Sequence, residues 1–382
     1  MLFLIALSYG IIAINSQIRV SKESKGGVYL LNLVHIRYTD IIKSVHTNRK
    51  IPALEYLGCG YDILFGSPFG DPGTLIDPGY REPIISYSII QKTTSHARRG
   101  VFAKINGAWI RPLVACKRSN KVDVVKNIEE YRAIAEIDSD VSVSAIENSA
   151  KFSLSTNYSR AKETLKSTGN NIYIDRSYCF LLEAGLPIHS NWKLRRSFIL
   201  AAKKLGHGFK EATKKCRVVQ YSMNPENPDC RESIKPWMDL FDQFGTHFSY
   251  NIKIGGKITS VSQESAENNS TNNNRGNSIG IDASVAKHDK GLSANANVSF
   301  TFGERRDNGN NLSSKYTNIL GGLPVGNIND ESEYIKWIKS VYRNPMPIRS
   351  QFAPISKLFK SKELRESYDE AFQFYLALSL SS

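Results

Sequence analysis

Two kinds of periodicity alternate along this chain. Residues 124–137 (VVKNIEEYRAIAEI) set Val124, Ile128, Tyr131, Ile134 and Ala135 at helical spacing, the recurrence of an amphipathic helix. Further helices are predicted over 191–206, closing on Gly206, over 235–244 with Pro236 near its start, and over 332–342 and 361–378. Strand patterns stand between them at 55–66, 100–117 and 170–187. In the last, Ile172 and Ile174 alternate before the run turns continuously apolar, as a central strand does. Strands far apart in sequence with helices interspersed point to an α+β fold rather than a regular βαβ winding. Residues 67–83 carry two Asp-Pro-Gly turns and are expected to form a long surface loop, with Asp71 and Asp77 as turn formers ahead of cation ligands.

Two segments follow neither pattern simply. In 137–159, Val141 and Val143 alternate with serines, and after a phase slip Ala150, Phe152 and Leu154 alternate with Lys151, Ser153 and Ser155. In 257–302, Ile279, Ile281, Ala283 and Val285 alternate with small or polar residues, as do Leu292, Ala294, Ala296, Val298, Phe300 and Phe302. The alternation alone fits an ordinary solvent-edged hairpin turning at 287–291. Composition adds a second reading, because the polar side is Ser, Thr and Asn rather than Lys and Glu. Small uncharged groups cross hydrocarbon at lower cost than full charges. One apolar and one mildly polar face over about ten residues is what a pore-lining barrel strand needs. An Asn-rich stretch, 266–277, lies between the arms and reads as a tip or loop.

Charge and chemistry narrow the classes. The 382 residues carry 50 Lys and Arg against 36 Asp and Glu, a net charge of +14, which favours anionic partners. The basic residues are scattered and form no aromatic-interleaved run of the nucleic-acid kind, so nucleic acid is not an expected partner. The apolar run from Leu2 to Ile14 is shorter than the roughly 20 residues of a membrane span and reads as the core of a signal peptide over 1–16, with an extension over 17–50. None of the five cysteines has a CxxC spacing, so no metal site is expected. Cys216 and Cys230 bracket a loop with Asn-Pro pairs and are expected to bridge; Cys116 with Cys179 is a further pairing, and Cys59 reads as a free core thiol.

One stretch, FDQFGTHFSYNIKIGG (241–256), invites a catalytic reading of His247, but no nucleophile or carboxylate pair nearby completes a catalytic set. The stretch resembles the signature of the membrane attack complex/perforin family. Phe241, Phe244, Gly245, Thr246, His247 and Phe248 match its aromatic-flanked Gly-Thr-His, and Gly255 and Gly256 match the Gly-Gly that follows six residues on. The stretch from Tyr56 to Tyr80, then 319–327 and 335–359, is similar to the family's opening strand and loop and its closing strand and helix, in particular in the perforin-like proteins of apicomplexan parasites. The resemblance covers about residues 50 to 380, and a domain over 51–380 is assigned on it.

The resemblance implies a bent four-stranded antiparallel sheet flanked by two helical clusters that can refold into membrane-spanning β-hairpins. It places those clusters where 137–159 and 257–302 lie. Gly255-Gly256 would sit at the bend, and Thr246 and His247 would fix the strand against the helix 235–244. The expected function is a secreted, non-enzymatic pore former without cofactor, assembling as a homo-oligomeric ring or arc on a lipid membrane, with anionic lipid favoured by charge. The family further implies storage in parasite secretory organelles and a target-cell or vacuolar membrane. A non-lytic membrane-binding or adhesion protein on the same fold is the alternative, favoured by the absence of an evident C-terminal β-rich recognition domain. Asn157 and Asn297 stand in glycosylation sequons and are expected to be unmodified, since a glycan would obstruct insertion.

Overall fold

The computed structural model describes residues 52–70, 76–90, 104–117, 122–141, 147, 150–166, 170–187, 191–206, 208–265, 302–308, 311–324 and 330–381. The N-terminal 1–50, most of the second alternating segment and Val143 lie outside them.

Ten strands form one sheet. In chain order they are β1 (Cys59–Tyr61), β2 (Tyr80–Pro83), β3 (Trp109–Lys117), β4 (Asp123–Val125), β5 (Ser139–Val141), β6 (Asn170–Gly185), β7 (His247–Ser265), β8 (Phe302–Asn308), β9 (Asn311–Leu320) and β10 (Met346–Pro354). The long strands form where the sequence alternates or is continuously apolar. Ile172 and Ile174 of β6 are buried, as are Ile252, Ile254, Ile258 and Val261 of β7. β7 is the spine. One edge pairs antiparallel with β6 from Asn251 to Ser265. The other edge pairs with β10 from His247 to Gly255, then with β9 from Lys257 to Gln263. The far edge of β6 pairs with β3 along one stretch and with β4 along the next. β3, β6, β7 and β9 are thus the expected antiparallel four-stranded core. The sheet is wider than four strands because β10, β5, β1 and β2 fill the half that carries the Gly-Thr-His signature.

Nine α-helices have both ends among the described residues: α1 (Ile128–Glu136), α2 (Thr156–Lys166), α3 (Arg196–Ala202), α4 (Phe209–Lys215), α5 (Val218–Met223), α6 (Pro228–Arg231), α7 (Lys235–Phe244), α8 (Glu331–Val341) and α9 (Lys362–Ser381). α7 buries Trp237, Met238, Leu240, Phe241 and Phe244. α9 meets it through Phe241, whose ring centroid is 5.8 Å from that of Tyr368 and 5.3 Å from that of Tyr375, within the range of favourable aromatic pairs. Cys216 and Cys230 are bridged and buried, joining α4 to α6 as expected. Cys116 and Cys179 are also bridged, between paired residues of β3 and β6, and Cys59 is a free, buried thiol.

Several boundaries differ from the periodicity. Val124 belongs to β4, opposite Tyr173; α1 starts only after Asn127, whose side chain accepts from Glu130 N at 2.9 Å as an N-cap. The pattern at 100–117 splits at Gly107, φ 87°, and the 55–66 run keeps only three strand residues. The helix expected over 191–206 contracts to α3. The loop from Ser67 is not a surface loop throughout: Ser67 to Gly70 are buried, with Phe69 in the core. Asp77 accepts from Ser67 N (2.8 Å), Gly79 N (3.0 Å) and the Tyr61 hydroxyl (2.9 Å), which makes it a turn former. Burial nevertheless pushes its carboxyl above the ordinary range.

Candidate functional site

The Gly-Thr-His signature joins α7 to β7, where the chain presses against residues 60–63. Gly245 ends α7 with φ 73°, and a β-carbon there would stand 2.4 Å from the Tyr61 carbonyl carbon. Only glycine fits both the backbone conformation and the approach. Thr246 N donates to Tyr61 O at 3.0 Å. The Thr246 hydroxyl takes a bond from Ile63 N (3.3 Å) and shares one with His247 Nδ1 (3.0 Å). Thr246 O accepts from the Tyr368 hydroxyl at 2.9 Å and from Ile355 N at 3.1 Å. Thr246 and His247, both fully buried, therefore fix β7 against the turn after β1 and against α9. The expected partner, α7, is covalently adjacent to them through Gly245. His247 Nε2 lies 4.0 Å from Glu147, whose carboxylate accepts from the Tyr368 hydroxyl.

Gly255 and Gly256 sit where the pairing of β7 changes on both edges. The β6 register shifts between Ile254 and Gly255, so that Leu182 pairs with one and Phe180 with the other. This leaves Leu181 as the extra residue of a bulge on β6, a feature that increases the local twist of the strand carrying it. At the same point β7 exchanges β10 for β9. A β-carbon on Gly255 would come within 1.9 Å of the Cys179 carbonyl oxygen. Gly256 faces α8, and Trp337 Nε1 donates to Gly321 O at 3.1 Å to hold that helix over the glycine pair.

The first alternating segment is docked on the sheet rather than extended. β5 pairs in parallel with β10, Ser139 opposite Ser350 through Val141 opposite Phe352. Residues 147 and 150 are helical, 151–155 form turns, and α2 follows. The turn is tied to the chain after β1: Phe152 N donates to Ile63 O (2.6 Å) and Leu154 N to Leu64 O (2.9 Å). Val141, Ala150 and Phe152 are buried and Leu154 is half-buried. Phe152 holds φ 64°, a costly conformation for a bulky residue that persists only where the surroundings impose it. The alternation at 150–154 is thus not expressed as a strand in this form. Asn157 is buried, its amide donating to Ser67 Oγ (3.0 Å) and Gly70 O (2.5 Å). Of the second segment, Ile279, Ile281, Ala283, Val285, Leu292, Ala294, Ala296, Val298 and Phe300 lie outside the described residues; Phe302 opens β8, opposite Thr317. Among the described residues no helix is long and apolar enough to cross a membrane.

Residues 45–380 match the MAC/Perforin domain model, and the chain belongs to that family. Solved structures with which it shares partial likeness include GNIP1Aa from Chromobacterium piscinae (TM-score 0.49, 17% identity, 86% of this chain and 57% of that one). A MAC/Perforin-domain protein from Bacteroides thetaiotaomicron VPI-5482 gives TM-score 0.43 and 12% identity over 85% of this chain and 61% of that one. Astrotactin-2, a vertebrate perforin-like membrane protein, gives TM-score 0.35 and 9% identity over 84% of this chain and 98% of its own. The chain spans about three-fifths of the length of the first two, at 57% and 61%. Membership rests on the domain match.

Proposed function

We propose that this protein is a secreted pore former that oligomerises on a target membrane and permeabilises it by inserting two amphipathic β-hairpins per copy. One observation carries the reading. The first segment, 137–159, lies in the chain between β4 and β6, and β4, like β3, is an antiparallel neighbour of β6. The second leaves at the end of β7 and returns through β8 and β9, and β7 and β9 are again antiparallel neighbours. Each segment is therefore strung between two paired strands. Extending it would prolong an existing ribbon once β5 has left β10 and β8 has left β9.

Elementary energetics dictate the rest. A lone hairpin in lipid presents two edges of unpaired backbone groups, each costing several kcal/mol. Insertion becomes favourable only when neighbouring copies pair their edges and close the sheet, so the reading requires assembly. In the docked form the first segment avoids that cost, because α1 and α2 satisfy their own backbone and β5 borrows the edge of β10. The net charge of +14 supports docking to anionic lipid. Gly255-Gly256 and the Thr246–His247 network serve as scaffold to this change, which makes no bond in a substrate and needs no cofactor.

Dye release from liposomes with and without anionic lipid, with negative-stain imaging of the same samples, tests the proposal. Leakage accompanied by rings or arcs is the expected result. Membrane binding without leakage would contradict it and favour the adhesion alternative.

A further inference from the structure

Lys257 follows the glycine pair on β7. While Gly256 faces α8, the Lys257 side chain lies on the opposite face of the strand, only 1% exposed. Its ammonium donates to Pro68 O and to Asp138 Oδ2, the latter at 3.1 Å. Asp138 is fully buried between α1 and β5, on the docked first segment. The same carboxylate accepts from the Tyr178 hydroxyl (2.9 Å) and lies 3.5 Å from the Arg349 guanidinium and 4.0 Å from that of Arg176. Arg176 is shared with Asp123 at 2.5 Å. The backbone carbonyl of Asp138 takes Ser350 N at 2.9 Å. One acidic residue of the segment thus collects donors from β6, β7 and β10, all of them scaffold.

We propose that the Asp138–Lys257 pair is a charge clasp that holds the first segment on the sheet and sets how readily it leaves. The proposal rests on the reading that this segment refolds. Two buried opposite charges tolerate each other only while paired; separating them leaves the buried ammonium beside Arg176 and Arg349, with Asp123 held by Arg176 and the weaker field of Asp77 in place of a direct ion pair. Departure of the segment cannot begin at 138–141 without that separation. A well-packed apolar pair would give the site comparable stability with no such charge penalty on opening. The ion pair makes undocking depend on water or another anion reaching Lys257.

Hydrogen exchange of the full chain in solution, without lipid, reads the clasp directly. In Asp138→Asn, amides of 150–166 are expected to exchange about tenfold faster or more, while those of α8 and α9 keep their protection. In the double variant Asp138→Asn/Lys257→Met, which removes the stranded cation, protection of 150–166 is expected to return to within about threefold of the native chain. Three results would overturn the clasp: unchanged exchange in the single variant, an even loss of protection across the whole chain, or no recovery in the double variant. Dye release measured in parallel separates the two proposals. A native chain that never permeabilises vesicles contradicts the pore reading alone and leaves the exchange result standing.

Discussion

Gly256 lies directly beneath Trp337. A β-carbon on Gly256 would stand 2.8 Å from the indole Cζ2 and 2.5 Å from a methyl of Val341. The glycine pair of β7 and the helix covering it are packed closely at this point. Gly256→Ala is therefore expected to destabilise the fold by about 1–3 kcal/mol through overpacking, read as a lower midpoint in denaturant. Gly255→Ala is expected to be worse, because its clash is with the Cys179 carbonyl of β6 rather than with a side chain that can rotate. Equal stability of Gly255→Ala and the native chain would show that β6 and β7 do not approach each other as closely as described.

The Thr246 hydroxyl meets Ile63 N, the Tyr61 carbonyl and His247 Nδ1 inside the core. Thr246→Val keeps the shape and removes all three bonds. The cost of leaving a buried amide unpaired predicts a loss of about 1–3 kcal/mol. Thermal unfolding checks this, and an unchanged Tm would mean that the hydroxyl is not the tie between β7 and the turn after β1.

Asn157 is expected to carry no glycan in folded protein, although it stands in a sequon. Its amide nitrogen, the atom a glycan would occupy, is buried against Ser67 and Gly70. Intact-mass and peptide analysis of secreted, folded material checks this; full occupancy at Asn157 would contradict the docked position of α2.

Burial pushes the Cys59 thiol up to about 12, far above the pH at which alkylating reagents act on a thiolate. The other four cysteines are bridged. Native protein at pH 8 is expected to resist iodoacetamide, and unfolded, unreduced protein to take up one label. Two or more labels would show that one of the bridges is absent.

Asp77 gives a pH dependence with a definite sign. Its folded-state pKa is raised by burial, so the folded chain takes up a proton at higher pH than the unfolded chain does. Such a group adds stability as pH falls from its folded pKa toward the ordinary carboxylate value. Asp77→Asn removes this contribution, so the stability of the variant relative to the native chain is expected to decline between pH 7 and pH 4. A constant difference across that range would contradict the assignment.

What the sequence revealed depended on how local the information was. The glycine pair, the Gly-Thr-His step, β6, and helices α7, α8 and α9 were legible because each is specified by residues within a few turns of one another. β10 was obscured by prolines at 347 and 354, although Met346, Ile348, Ser350 and Phe352 alternate inward. Phe69 sits in a stretch whose turn residues mark a surface loop, yet it is buried. The Asp138–Lys257 pair could not be anticipated: 119 positions separate its members, and isolated charges in a basic chain read as solvated surface. At 150–154 the alternation describes no strand in this form, since the Phe152 turn is imposed by the chain after β1.

The central claim is that the first segment must leave the sheet before the membrane is breached. Asp140 and Gln351 are cross-strand neighbours of β5 and β10, joined by a side-chain hydrogen bond of 3.0 Å, and are placed to accept a disulfide. The decisive measurement is dye release by Asp140→Cys/Gln351→Cys, oxidised and then reduced, with native protein given the same reductant. The account predicts no release from the oxidised form and recovery on reduction; oxidised protein that leaks vesicles as fast as the native chain would contradict it.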